Sequence, residues 1–284
     1  MSTTEKTVQR TRPNSAMSLR VDKLMGATIR TSDDQEIGSI VDFLFDDQSW
    51  QTRYLVVETG PWLFGRKVLV STVAIDQPLS PGGMVSVRLT KKLVENSPEI
   101  DTDEPVSMQQ QKALHDYYQW PYYWAAAPAA MGYGATGVAV TAPEATVIPA
   151  PMATDAPDAV KEKVAYGEKA DELGDPNLRS MKEVIGYHIR ATNDEIGHVE
   201  DFFVDSADLM IRFMLVDTRN WLPGRHVLVS PAWIDRVSWH DSMVYVNVSR
   251  EQIEASPEYS PVKPVTRDME RELFTHYGYP YRVV

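Results

Sequence analysis

One stretch of 39 residues occurs twice in this chain of 284. GSIVDFLFDDQSWQTRYLVVETGPWLFGRKVLVSTVAID runs from Gly38 to Asp76, and GHVEDFFVDSADLMIRFMLVDTRNWLPGRHVLVSPAWID runs from Gly197 to Asp235. They align without a gap, with identical residues at 17 of the 39 positions. The same offset continues through Ser97-Pro-Glu99 and Ser256-Pro-Glu258, Leu114 and Leu273, Tyr118 and Tyr277, and Pro121-Tyr122 and Pro280-Tyr281. The chain is therefore two homologous units of about a hundred residues each, a usual domain size. Two copies are too few for a stacked solenoid, which needs about three.

Within a copy the pattern is mainly β. Ala27–Arg30 and Tyr187–Arg190 read as short strands leading over a polar turn into a Gly and an alternating strand. There Val41, Phe43 and Phe45 point one way and Asp42 and Asp46 the other, the period of a half-buried strand. Apolar runs follow at Tyr54–Val57 and Phe213–Val216, Val68–Val70 and Val227–Val229, and Val85–Val87 and Val244–Val248. About six short strands per copy, punctuated by Gly, Pro and Asp, predict a small six-stranded barrel. Ser107-Met-Gln-Gln110 and Ser249-Arg-Glu-Gln252 have capping-box spacing, so short helices follow each barrel.

The copies are joined by a segment in which Ala, Pro and Gly supply 21 of the 36 residues from Ala125 to Val160. That is the composition of a solvated linker. Tyr117 to Pro143 carries no charge over 27 residues, enough to span a bilayer. Its large aliphatics are few, and Pro121 and Pro128 interrupt any helix, so no span is expected. Residues 1–18 are polar, without the apolar core of a secretion signal. The expected organisation is a disordered tail over 1–18, a first repeat over 19–124, a flexible linker over 125–177 and a second repeat over 178–284, in a cytoplasmic protein.

Composition removes several function classes. The chain has no cysteine, which excludes disulfides, thiolate metal sites and cysteine nucleophiles. Twenty-eight Lys and Arg against 40 Asp and Glu give a net charge of −12, the wrong sign for binding nucleic acid through phosphates.

The repeated motifs carry a family resemblance. Ile-Gly-x-Val/Ile-x-Asp-Phe, Arg-x-x-x-Val-x-Thr, Gly-Arg-x-Val-Leu-Val-Ser, Ile-Asp, Ser-Pro-Glu and the closing Tyr277-Gly-Tyr-Pro-Tyr281 resemble the PRC-barrel family over residues 20–124 and 179–284. That family is named for the cytoplasmic domain of the photosynthetic reaction centre H subunit, and the chain is most similar to bacterial tandem members. The resemblance implies a six-stranded barrel used for protein–protein interaction and assembly, at a membrane surface or a ribonucleoprotein. It also implies an alternative role in electron or proton transfer beside a reaction centre. Residues 1–18 contain no apolar run of membrane-helix length, so a direct reaction-centre role is not the expectation.

Three groups of candidate site residues stand out. Asp42, Asp46, Asp201 and Asp205 share the outward face of their strands, where carboxylates relay protons or hold a hard cation in a metal enzyme; the competing reading is a solvated face. Trp62 with Arg66 and Trp221 with Arg225 sit at predicted hairpin tips, either packed on the rim or forming partner-binding hot spots. Tyr118, Trp120 and Tyr122 belong to the densest aromatic cluster, which covers one barrel end or docks the second copy or a partner. The Gly60–Lys67 loop lacks the Gly-Lys-Ser/Thr ending of a phosphate loop, the histidines have no metal-ligand spacing, and Ser71 and Ser230 stand in no nucleophile elbow. The expectation is a non-enzymatic adaptor with no cofactor and a protein partner, whose two copies contact each other or form a homodimer.

Overall fold

The computed structural model describes residues 18–76, 78–79, 83–100, 106–125, 175, 177–218, 225–260 and 264–281. Residues 1–17 of the expected tail and nearly all of the linker lie outside these residues, as does Trp221; Ser18, expected in the disordered tail, instead begins a strand.

The first repeat contributes β2 (Thr28–Arg30), β3 (Glu36–Asp46), β4 (Gln51–Glu58), β5 (Lys67–Ser71) and β6 (Met84–Ser86), then helices α1 (Lys91–Glu95) and α2 (Met108–Tyr118). The second contributes β8 (His188–Arg190), β9 (Glu195–Asp205), β10 (Ile211–Asp217), β11 (His226–Val229), β12 (Ile234–Ser238) and β13 (Met243–Val246), with α3 (Met181–Val184) before them and α4 (Arg250–Glu254) and α5 (Arg267–His276) after. The sheets run β5-β4-β3-β2-β6 and β11-β10-β9-β8-β13-β12. In the second, a 3-10 turn at Pro231–Trp233 joins β11 directly to β12, so the two outermost strands of the sheet are consecutive in the chain. Ser107 and Ser249 both complete the expected capping boxes, which fix where α2 and α4 begin.

The alternation expected along β3 does not hold. Phe43, Leu44 and Phe45 are all buried in sequence, while Val41 is half-buried. Register shifts between Ile40 and Asp42 and between Leu44 and Phe45 re-aim the side chains, as bulges do. In β9 every residue from Asp201 to Asp205 is buried. Part of the cover comes from the other repeat, with the rings of Phe45 and Phe202 centred 6.0 Å apart.

The two repeats also exchange their first strands. β1 (Ser18–Arg20), which precedes the first repeat, pairs antiparallel with β9 of the second, placing Ser18 opposite Asp205 and Arg20 opposite Phe203. β7 (Leu178–Ser180), which precedes the second, pairs with β3 of the first, placing Leu178 opposite Asp46 and Ser180 opposite Leu44. Both exchanged strands have the same register on homologous partners. Leu19 and Leu178 are buried in the process, each supplying roughly 1.5–3 kcal/mol of apolar burial.

A second, self-complementary contact joins the hairpin tips. Gln51 bridges Met210; the Thr52 N–H donates to the Leu209 carbonyl (3.3 Å) and the Ile211 N–H to the Trp50 carbonyl (2.9 Å). These pairs interchange when the repeats are swapped, the signature of an approximate two-fold contact. Trp50 and Leu209, at equivalent turn positions, both take a left-handed conformation (φ 58° and 59°).

Gly38 and Gly197 bring crossing backbones together. A Cβ on Gly38 would lie 2.1 Å from the Glu58 carbonyl oxygen, and one on Gly197 would lie 1.9 Å from that of Asp217, with φ of 146° and 135°. Gly38→Ala and Gly197→Ala are each expected to lower unfolding free energy in urea by more than about 1 kcal/mol. Gly26→Ala, at φ 76° with open space around it, should cost less in the same measurement.

Candidate functional site

Two of the four carboxylates that the sequence places on an outward strand face, Asp42 and Asp201, instead hold the repeats together. In Asp201, Oδ2 accepts from Nε of Arg20 at 2.9 Å and Oδ1 from the backbone N–H of Asp22 at 3.3 Å. In Asp42, Oδ2 accepts from the Ser180 hydroxyl at 2.5 Å and Oδ1 from the Lys182 N–H at 3.1 Å. Arg20 and Ser180 occupy the same register position in the two exchanged strands, so different donors meet homologous acceptors. Asp201 is only 1% exposed, which corrects the expectation that it faces solvent: the incoming strand covers it.

Burial pushes the Asp201 carboxyl up to about 6, against the Phe202 N–H and the Arg20 guanidinium, which favour the ion. Burial likewise raises Asp42, opposed by Ser180 and Lys182. Asp46 and Asp205 shape the adjoining turns. Asp46 Oδ1 accepts from the N–H and hydroxyl of Ser49, both at 2.7 Å. Asp205 accepts from the Ala207 N–H at 2.8 Å and pairs with Arg212 at 3.1 Å.

The hairpin-tip residues serve the chain's own packing. Trp62 donates through Nε1 to the Ile37 carbonyl (3.0 Å) and stacks under Lys91 (4.6 Å). Arg66 donates to the carbonyl and hydroxyl of Ser97, at 3.0 and 2.6 Å. Arg225 repeats this on the carbonyls of Glu254 and Ser256, both at 2.6 Å. With Trp62 and Arg66 pinned, the loop between them presents Phe64, which is 98% exposed. Phe64 has φ 55°, in the left-handed region, and Gly65 follows with φ 72°. Sequence reasoning passed over Phe64; the signal available was an apolar side chain directly before a turn glycine.

Tyr118 and Trp120 are buried and stacked, with centroids 4.2 Å apart, and the half-buried Tyr122 donates to Asp116. Beneath them the Nδ1–H of His115 donates to the Pro121 carbonyl (2.9 Å), leaving Nε2 to accept from the Tyr54 hydroxyl (2.7 Å). Burial lowers the His115 pKa, in keeping with a neutral ring. Among the described residues, no group of three or more His, Asp and Glu side chains is arranged to hold a metal ion.

The model of the PRC-barrel domain matches this chain twice, over residues 17–94 and 176–253. The chain belongs to the PRC-barrel family. No curated protein matches it. Each PRC-barrel match begins at its exchanged strand, β1 in one and β7 in the other, so each family unit completes its sheet with a strand from its twin. No helix among the described residues is long and apolar enough to cross a membrane.

The clamps differ in strength. Arg20→Ala strips the counterion from a buried carboxylate and is expected to cost about 3 kcal/mol of unfolding free energy. Ser180→Ala removes one hydrogen bond to a less buried acceptor and should cost about 1 kcal/mol; urea titration of both variants measures the contrast. The pH response has a definite sign. Asp201 takes up its proton near pH 6 when folded, whereas an unfolded aspartate does so near about 3.9. Between those values the folded state binds more protons, so this carboxyl adds stability as pH falls from 7 to 5 and withdraws it as pH rises. Asp201→Asn removes that contribution: urea midpoints at pH 7 and 5 should show the wild type gaining on the variant upon acidification.

Proposed function

We propose that this tandem PRC-barrel chain is a non-enzymatic interaction and assembly module, acting in the cytoplasm and reaching the membrane surface through a protein partner. The observation that carries the proposal is Phe64. A bulky residue in the left-handed region is strained, and here its ring gains almost no burial against the described residues in return. Trp62 and Arg66 fix the loop on either side, so little ordering entropy is lost when the ring enters an apolar pocket. The second copy has Pro223 at this position, which gives one anchor per chain despite two repeats.

The test is affinity capture with the full chain, quantified for each recovered protein. Phe64→Ser should reduce recovery of the specific partner about 30-fold, the effect of losing an anchor worth about 2 kcal/mol, and Phe64→Trp should retain it. Equal recovery by wild type and Phe64→Ser across growth conditions would overturn the proposal.

A further inference from the structure

A cavity of about 560 Å³ lies where the Gln48–Trp50 turn of the first repeat meets the second, and its walls include Arg212, Phe213, Glu270, Phe274 and Tyr281. Its meaning comes from the first repeat, where the same place is filled. Tyr123 lies there with its ring under the Arg53 guanidinium (4.0 Å), against Tyr54 and His115 (6.4 and 6.0 Å between centroids), and its hydroxyl donates to Oε1 of Gln111 at 2.6 Å. At the repeat offset, Arg53, Tyr54, Gln111 and His115 become Arg212, Phe213, Glu270 and Phe274. All four counterparts line the cavity. The position corresponding to Tyr123 is Arg282, so the ring is missing from the sequence while its four contacts remain.

The substitutions suit a hydroxyl-bearing ring. Gln111 Oε1 sits beside two phenols, Tyr123 at 2.6 Å and Tyr54 at 3.2 Å; in the second repeat Tyr54 has become Phe213, which brings no hydroxyl. Glu270 accepts from the Ser18 hydroxyl (3.3 Å) and the Tyr281 hydroxyl (3.2 Å), and a carboxylate has room for about four such bonds. Burial raises its pKa, so a further donor is favourable. Tyr281, also in the cavity wall, takes over two of the contacts, its ring against Phe274 and its hydroxyl on Glu270, but its cation neighbour is Arg271 at 5.6 Å and the contacts with Arg212 and Phe213 are left open to a ligand. Arg212 is held by Asp205 and Asp208 at 3.1 and 3.5 Å, and its counterpart Arg53 by Ser49 at 3.1 Å. The volume is within the range of about 300–1,000 Å³ typical of small-molecule sites.

We propose that this cavity binds a small phenolic ligand, with its ring packed between Arg212, Phe213 and Phe274 and its hydroxyl donating to Glu270. The contact repeats in trans what Tyr123 does in cis. Isothermal titration of the full chain with 2-naphthol tests it, with 2-methoxynaphthalene as the analogue lacking the donor and an acetylated, amidated tyrosine tripeptide as the peptide arm. Expected are saturable binding of 2-naphthol, at least tenfold weaker binding of the ether, at least tenfold weakening by Glu270→Leu, and near wild-type binding by Glu270→Gln, which restores the acceptor of the first repeat. Absence of saturable binding, or equal affinity for phenol and ether, would overturn the site, and the ether comparison on wild type holds even if Glu270→Leu fails to fold. Tighter binding of the tripeptide than of 2-naphthol would overturn the small-molecule assignment.

Discussion

An aspartate in each repeat, buried at Asp201 and half-buried at Asp42, that accepts hydrogen bonds from the segment exchanged by the other repeat is the contact on which this architecture depends. Without β1 and β7, the outer edges of β9 and β3 would each present a row of unpaired backbone groups. With them, Asp201 and Asp42 each receive a side-chain donor from the incoming strand and a backbone donor from the helical turn that follows it. A charge buried this way is favourable only with its donors in place, so the clamp enforces one register. A one-residue slip would leave the carboxylate buried and unpartnered.

The same logic makes the pair a single body and not two beads on a string. The hairpin tips at Gln51 and Met210 meet on the approximate two-fold, and the exchanged strands run outward from it. Symmetric exchange of an identical element is how homodimers commonly form. Here the two halves are covalently joined, and their chemistry has diverged at equivalent positions: Arg20 against Ser180, Tyr123 against Arg282, and Phe64 against Pro223. A symmetric frame therefore carries asymmetric surfaces.

Much of the fold was legible in the sequence because a gapless repeat with period-2 apolar runs admits few architectures. The capping boxes at Ser107 and Ser249 were legible for a local reason: cap, N3 residue and helix start all lie within four residues. The exchange was not. Nothing within Ser18–Arg20 distinguishes a strand that folds back on β3 from one that crosses to β9, since both acceptors are built from the same motif. The roles of Asp42 and Asp201 were misread for the same reason, as alternation identifies the face a residue points to but not what covers that face. Trp62 and Arg66 were visible as unusual residues at a turn, yet their hydrogen bonds to Ile37 and Ser97 are long-range, and it is those bonds that leave Phe64 outside.

Strand exchange also sets an order of events during synthesis. The β3 edge that pairs with Leu178–Ser180 is made more than a hundred residues before its partner. When the first repeat leaves the ribosome its sheet lacks one strand, and Asp42 is solvated, ionised and without Ser180. Residues 18–20 must wait longer still, for β9. Completion of either half is thus a late, joint event, and the nascent first repeat spends the intervening seconds with an open sheet edge that an acidic chain, repelling its neighbours, is suited to survive.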